Sequence, residues 1–160
     1  MLAVALLILV TGRDDGDDGA DEPEGRRVVA TVTRAVDGDT VEVSLDGATE
    51  DVRYIGVDTP ESVAPDQPVE CFGERASRFN ASLVEGHEVS LVFDEERRDQ
   101  YGRLLAYVYL GDEFVNAELV RRGFARTLTI PPNTRHADRF ARLAAAAGAS
   151  GRGLWGACGP

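Results

Sequence analysis

From Val28 to Val36 the chain is rich in β-branched residues that partly alternate with polar ones, the pattern of a strand. Asp37-Gly38 is a tight-turn dipeptide, and Thr40–Leu45 reads as the return strand. A second turn at Asp46-Gly47 leads to a third strand, Asp51–Val57, so the first three strands form a meander. Ser62–Cys71, with Pro65 and Pro68, reads as a loop. The period then changes: Ala76, Phe79 and Leu83 recur at helical spacing within Glu74–Val84, ending before Gly86. Two further strands, Glu88–Phe93 and Leu104–Leu110, flank the charged loop Asp94–Gly102. Phe114–Arg122 reads as a short helix stopped by Gly123. Asn133 or Thr134 is the expected cap of a last helix carrying Ala137, Phe140, Ala141 and Ala144 on one face and ending at Gly148.

This order predicts an α+β, mainly β domain. A five-stranded barrel with a helix between strands three and four and two C-terminal helices is an OB-fold, which commonly binds oligonucleotides. The 43% hydrophobic content of 160 residues is enough for one such core. Residues 27–160 are therefore the expected domain. Residues 13–26 read as an acidic disordered linker with too little apolar surface to offset its ordering entropy. Residues 1–12 read as a signal or anchor remnant, because the apolar run Leu2–Val10 is too short to span a bilayer as a helix. A secreted or surface-anchored protein is the expectation.

Charge first argues against a polyanionic partner, since the net value is -11. Its distribution weakens that objection. Residues 1–25 hold seven acids and one arginine, leaving -5 for residues 26–160. All 17 basic residues are Arg, and an acidic, lysine-free surface suits a saline habitat, where screening collapses long-range repulsion.

Against that background one stretch carries chemistry. Asp39, Asp58 and Glu61 offer hard oxygens for a divalent cation. Arg53 offers a planar, permanently charged fork for a phosphate. A hairpin turn accounts for Asp37 but leaves Asp39 unexplained where a strand former belongs. Strict alternation sets Arg53 and Val57 on one face and Asp58 on the other, so convergence requires a bend or bulge near Gly56. Arg103, closing the loop before the fifth strand, is either a solvated turn residue or a second guanidinium facing Arg53.

Asp-Gly-Asp-Thr at 37–40, Arg-x-x-x-Val-Asp-Thr-Pro-Glu at 53–61 and Tyr-Gly-Arg-x-x-Ala-Tyr at 101–107 stand in a fixed order. Asn-x-x-Leu-Val-x-x-Gly at 116–123 and Pro-Asn-Thr at 132–134 follow them. With these five motifs the chain resembles the thermonuclease (staphylococcal nuclease-like) family from about Val28 to Trp155. The resemblance implies the same OB-fold and a Ca2+-dependent endonuclease that leaves 3′-phosphate ends on DNA or RNA, with single strands preferred. It implies that Asp39, Asp58 and the Thr59 carbonyl ligate calcium, and that Glu61 holds and deprotonates the attacking water. Arg53 and Arg103 would bind the scissile phosphate and stabilise the transition state, and Tyr101 would contact a terminal phosphate. It also implies a Cys71–Cys158 disulfide, in place of two buried thiols. No obligate protein partner is evident, and a monomer is expected.

Two departures bear on affinity. Gln100 stands where family members often carry a basic residue, and Leu128-Thr129-Ile130 offers no tyrosine for a base to stack on. His87 and His136 read as surface residues, and Tyr107, Tyr109, Phe79, Phe140 and Trp155 as core. A non-catalytic nucleic-acid or protein binding module, or a calcium-dependent surface domain, are the alternatives. The second leaves Arg53 and Arg103 without a task.

Overall fold

The computed structural model describes residues 27–62 and 68–159. The expected signal remnant and linker lie outside them, as does half of the proline-containing loop (63–67). The strands are β1 (Arg27–Ala35), β2 (Thr40–Leu45), β3 (Ala48–Tyr54), β4 (Gly56–Asp58), β5 (Glu88–Val92), β6 (Leu104–Leu110), β7 (Glu113–Phe114) and β8 (Arg126–Leu128). The helices are α1 (Gly73–Val84), α2 (Val115–Arg121), α3 (Ala137–Ala149) and the one-turn α4 (Leu154–Ala157).

Antiparallel pairing joins β3-β2-β1-β5-β6, and a parallel pairing of β3 with β6 closes the five strands into a barrel. The alternation read from the sequence has its cause here. Val41 and Val43 of β2 point into the barrel with Ala30 and Val32 of β1, while β6 is apolar almost throughout because helices cover its other face. Phe140 of α3 enters the same core, with Tyr107 and Phe114 against it. The expected OB-fold is therefore the fold of the chain. Among the described residues it gains short strands β7 and β8 and the small helix α4.

Four expectations change. The third strand is not continuous: it breaks at Ile55, and β4 leaves the barrel to pair with β8. Gly56 takes φ +80°, and a Cβ there would strike the Phe140 ring, so both backbone and packing require glycine. Asn133 does not cap the last helix. It is buried, and its amide bonds the backbone N–H and carbonyl of Glu96 at 2.8 Å each, so α3 starts later, after His136. His136 is half-buried, edge-on to Tyr107 and Phe114. Trp155 is exposed, with the Arg126 guanidinium over its ring.

Cys71 and Cys158 are disulfide-bonded across a sequence separation of 87 residues. Closing a loop of that length removes denatured-state entropy worth on the order of 4–5 kcal/mol.

Candidate active site

The break in the third strand builds the site. Ile55 donates its N–H to the Ala106 carbonyl, and its own carbonyl accepts from the Asn116 side chain at 2.9 Å. Asn116, fully buried on α2, also accepts the Val108 N–H. A buried amide satisfied by two separate strands pins the bend in one conformation. The chain then runs back past Arg53, which brings Asp58 within reach of it.

Asp39 sits just before β2 and is 5% exposed. A carboxylate so buried must be paired and hydrogen-bonded. Its Oδ2 accepts the Thr59 N–H at 2.7 Å and the Thr59 hydroxyl at 3.0 Å, and its Oδ1 faces Arg53 Nε at 3.2 Å. The Asp39 carbonyl accepts the Tyr54 N–H. One residue thus ties the start of β2 to the ends of β3 and β4. Gly38 is needed for that closeness, since a Cβ there would overlap the Thr59 side chain.

Asp37 is the expected turn former, its Oδ1 accepting the Asp39 N–H at 3.0 Å. It is more than that. Burial, followed by the Asp39 charge, pushes its carboxyl up to about 6. A relay from the helix holds this turn: Tyr54 donates its hydroxyl proton to Asn80 Oδ1, and Asn80 Nδ2 donates to the Asp37 carbonyl.

Arg53 is almost enclosed. Besides Asp39, it donates Nη1 hydrogens to the carbonyls of Tyr54 at 2.9 Å and Val57 at 2.8 Å, and an Nη2 hydrogen to Asp58 Oδ1 at 3.0 Å. A guanidinium has five N–H donors, so a single Nη2 hydrogen is left for anything else. Arg103 shares a cavity of about 400 Å³ with it, walled also by Tyr101, Leu128 and Ile130. Arg103 Nε bonds Asp99 Oδ2 at 2.7 Å. Burial alone would raise the Asp99 carboxyl, but the Arg103 bonds hold it below the usual range. Tyr101 is 75% exposed beneath the Arg103 guanidinium.

The structure therefore gathers Asp39, Arg53, Asp58 and Thr59 into one cluster and sets Arg53, Arg103 and Tyr101 around one cavity. Glu61 lies two residues beyond Thr59, beside the cluster, with Oε1 accepting the Ser62 N–H at 2.8 Å. The sequence reading passed over Asn80, had Asn116 only as a motif position and took Asn133 for a cap, yet all three are buried amides that hold the site's loops. For Asn80 and Asn116 the available signal was an asparagine at an otherwise apolar helical position.

The donor set suits a hard divalent cation. The candidates are carboxylates of Asp39 and Asp58 and a backbone carbonyl, all oxygen. Arg53 pairs with Asp39 and Asp58, and Asp37 beside it is raised by burial first and then by Asp39. Among the described residues no group of three or more His, Cys, Asp and Glu side chains forms a metal cage, so backbone oxygen and water would complete any coordination.

A closed OB barrel with acids and two arginines at one cleft is an arrangement suited to hydrolysing phosphodiester bonds. The family described as "Staphylococcal nuclease homologue" matches residues 51–157, and the chain belongs to it. It is 41% identical over 138 residues to a thermonuclease of Staphylococcus intermedius, covering 85% of this chain and 82% of that protein. It is 40% identical over 124 residues to the thermonuclease of Staphylococcus hyicus, covering 78% and 73%. Endonuclease YncB of Bacillus subtilis is 45% identical over 115 residues, 71% of this chain and 54% of that protein.

Proposed function

We propose that this nuclease is a monomeric, calcium-dependent enzyme of the cell exterior. It hydrolyses the bond from phosphorus to the 5′-oxygen in single-stranded or loosened DNA and RNA, leaving 3′-phosphate ends. The observation that carries the reading is the anchoring of Asp39, Arg53, Asp58 and Thr59 to one another beside a cavity shared with Arg103.

Asp39, Asp58 and the Thr59 carbonyl would hold calcium, which when bound supplies positive charge beside a phosphoryl oxygen. Arg53 and the cation draw on the same carboxylates. The Asp58 side chain is 54% exposed and free to turn, which would release the Arg53 Nη2 hydrogens toward a phosphate. Arg103 keeps its η nitrogens uncommitted among the described residues and would approach the same phosphate from across the cavity, so that donors converge where charge builds in the transition state. Glu61 would hold the attacking water and accept its proton. Tyr101, exposed at the cavity rim, suits contact with a terminal phosphate.

The disulfide and the apolar run near the start of the sequence support a location outside the reducing cytosol. The acidic, lysine-free composition supports a saline working environment.

The test is digestion of denatured DNA by purified protein with calcium, with chelator, and with magnesium in place of calcium, followed by end analysis of the products. Calcium-restricted cleavage giving ends that resist polymerase extension until a 3′-phosphatase acts is expected. Equal digestion in chelator, or directly extendable 3′-hydroxyl ends, removes the calcium assignment or the assigned bond respectively.

A further inference from the structure

Glu61 is held by a residue to which neither the motifs nor the cavity draws attention. Glu70 donates its backbone N–H to the Glu61 carbonyl at 2.9 Å, while its carboxylate Oε2 accepts the Glu61 backbone N–H at 3.0 Å. Both main-chain polar groups of Glu61 thus end on one partner nine residues away. The second bond is charge-assisted, from an amide to a carboxylate, which makes it the stronger of the two. The Glu70 carbonyl in turn accepts from Gly73 at 3.0 Å. Gly73 lies so close beneath Glu61 that a Cβ there would run into the Glu61 carbonyl, so no side chain separates α1 from this clamp.

The next residue extends the clamp across the molecule. Cys71 is bonded to Cys158, which caps the C-terminal end of α4. That helix is fixed to the body of the domain by buried Leu154, whose N–H reaches the Gly123 carbonyl at 2.8 Å. Gly123 and Gly153 make this approach possible, since a Cβ on either would meet the backbone of the other segment. The path from the domain body to Glu61 therefore runs through Leu154, Cys158, Cys71 and Glu70.

We propose that Glu70 is a positioning residue for Glu61, and that the Cys71–Cys158 disulfide holds Glu70 in register for it. The proposal rests on the reading of Glu61 as the water-holding base. A carboxylate that must meet a water in line with a phosphate tolerates little error, and a displacement of about 1 Å costs on the order of 10²-fold in rate. Glu61 follows a strand of only three residues and Pro60, so its placement has to come from outside β4. Glu70 supplies it. Its charge strengthens the bond, but the role requires only an acceptor at the Oε2 position for the Glu61 N–H.

Steady-state kinetics on denatured DNA with calcium, paired with thermal melts, test this. Glu70→Ala should lower kcat about 10-fold or more with KM within about twofold. Glu70→Gln should restore most of kcat, since its amide oxygen accepts the same hydrogen bond. Cys71→Ser combined with Cys158→Ser should lower kcat about 3-fold at a temperature well below its melting midpoint. Glu61→Gln should be severely impaired, and adding Glu70→Ala to it should cost nothing further. A Glu70→Ala enzyme with wild-type kcat beside a crippled Glu61→Gln overturns the positioning role alone. A Glu70→Gln enzyme as slow as Glu70→Ala, or losses that multiply in the double variant, overturns it too by assigning Glu70 an independent electrostatic part. A Glu61→Gln enzyme with wild-type rate instead overturns the reading of Glu61 on which the proposal stands.

Discussion

Arg53 and Arg103 line the same cavity, yet the protein holds them in opposite ways. Arg53 donates to acceptors on Asp39, Tyr54, Val57 and Asp58 and keeps its side chain 14% exposed. Arg103 has Asp99 on its Nε, is 32% exposed and lines the cavity. The first guanidinium is a structural cross-link that also lines the cavity; the second sits with its η nitrogens uncommitted among the described residues, at the end of a loop. Preorganised donors need little rearrangement during the reaction, but a donor hydrogen committed to the protein must be released before it can bind phosphate. On the proposed reading both arginines would meet the phosphate, but only Arg53 also fixes the acids.

The sharpest way to break this contrast is to remove each side chain and read stability beside rate. Arg53→Ala strips a nearly buried carboxylate, Asp39, of its cation and frees two carbonyls of their donor. It should cost about 3–5 kcal/mol of unfolding free energy together with roughly 10³-fold or more in kcat/KM. Arg103→Ala should cost about 10²–10³-fold in kcat while shifting stability by no more than about 0.5 kcal/mol. Urea melts and initial rates on the same preparations decide it. An Arg103→Ala protein as fragile as Arg53→Ala would make both arginines structural and dissolve the distinction.

That division was only half legible in the sequence. Asp39 stood out because a strand former belongs just past the turn, and Arg53 and Asp58 because their chemistry suits a phosphate and a cation. Arg103 stood as one of two readings, while Thr59 came only with the family resemblance. The barrel was legible because hydrophobic period distinguishes strands from helices. The bend that unites Arg53 with Asp58 was only a requirement, since its cause is tertiary: Asn116 holding Ile55, and Phe140 filling the space above Gly56. Asn133 misled for a related reason. At the start of a helical pattern an asparagine reads as a cap, but here the Glu96 backbone, distant in sequence, competes for the same amide and wins.

The acid side of the cleft can be sharpened through pH. Asp37 is raised from 3.8 to about 6, by burial first and then by Asp39. The folded state therefore holds this proton more tightly than the unfolded chain. The sign follows: the contribution is fully present below about pH 4 and is lost as pH rises through about 6. At 1.36 kcal/mol per unit the loss is of the order of 1–3 kcal/mol. Asp37→Asn keeps an oxygen for the Asp39 N–H and removes the charge. In chelator it should be more stable than wild type by about that amount at pH 7.5 and converge with it near pH 4, by urea midpoints. With saturating calcium the gap should narrow, because the cation offsets the same crowding. A variant no more stable than wild type at pH 7.5 means that Arg53 alone balances the three acids.

The smallest expected effect lies at the stretch of cavity wall formed by Leu128 and Ile130, which is aliphatic. Leu128 and Ile130 line the cavity and are 39% and 61% exposed, so a nucleobase entering there meets aliphatic carbon without a π-face. Stacking on an aromatic ring is worth roughly 1–3 kcal/mol per base. Ile130→Tyr should recover the lower part of that range, since the neighbouring Asn133 N–H bonds the Ile130 carbonyl and leaves the side chain free to change. About 1 kcal/mol corresponds to a roughly fivefold lower KM for denatured DNA. The rate at saturation should stay the same, because a ring at the wall binds ground state and transition state alike. If kcat moves instead of KM, the apolar wall is coupled to the held arginine and not only to the free one, and the two sides of the cleft act as a single unit.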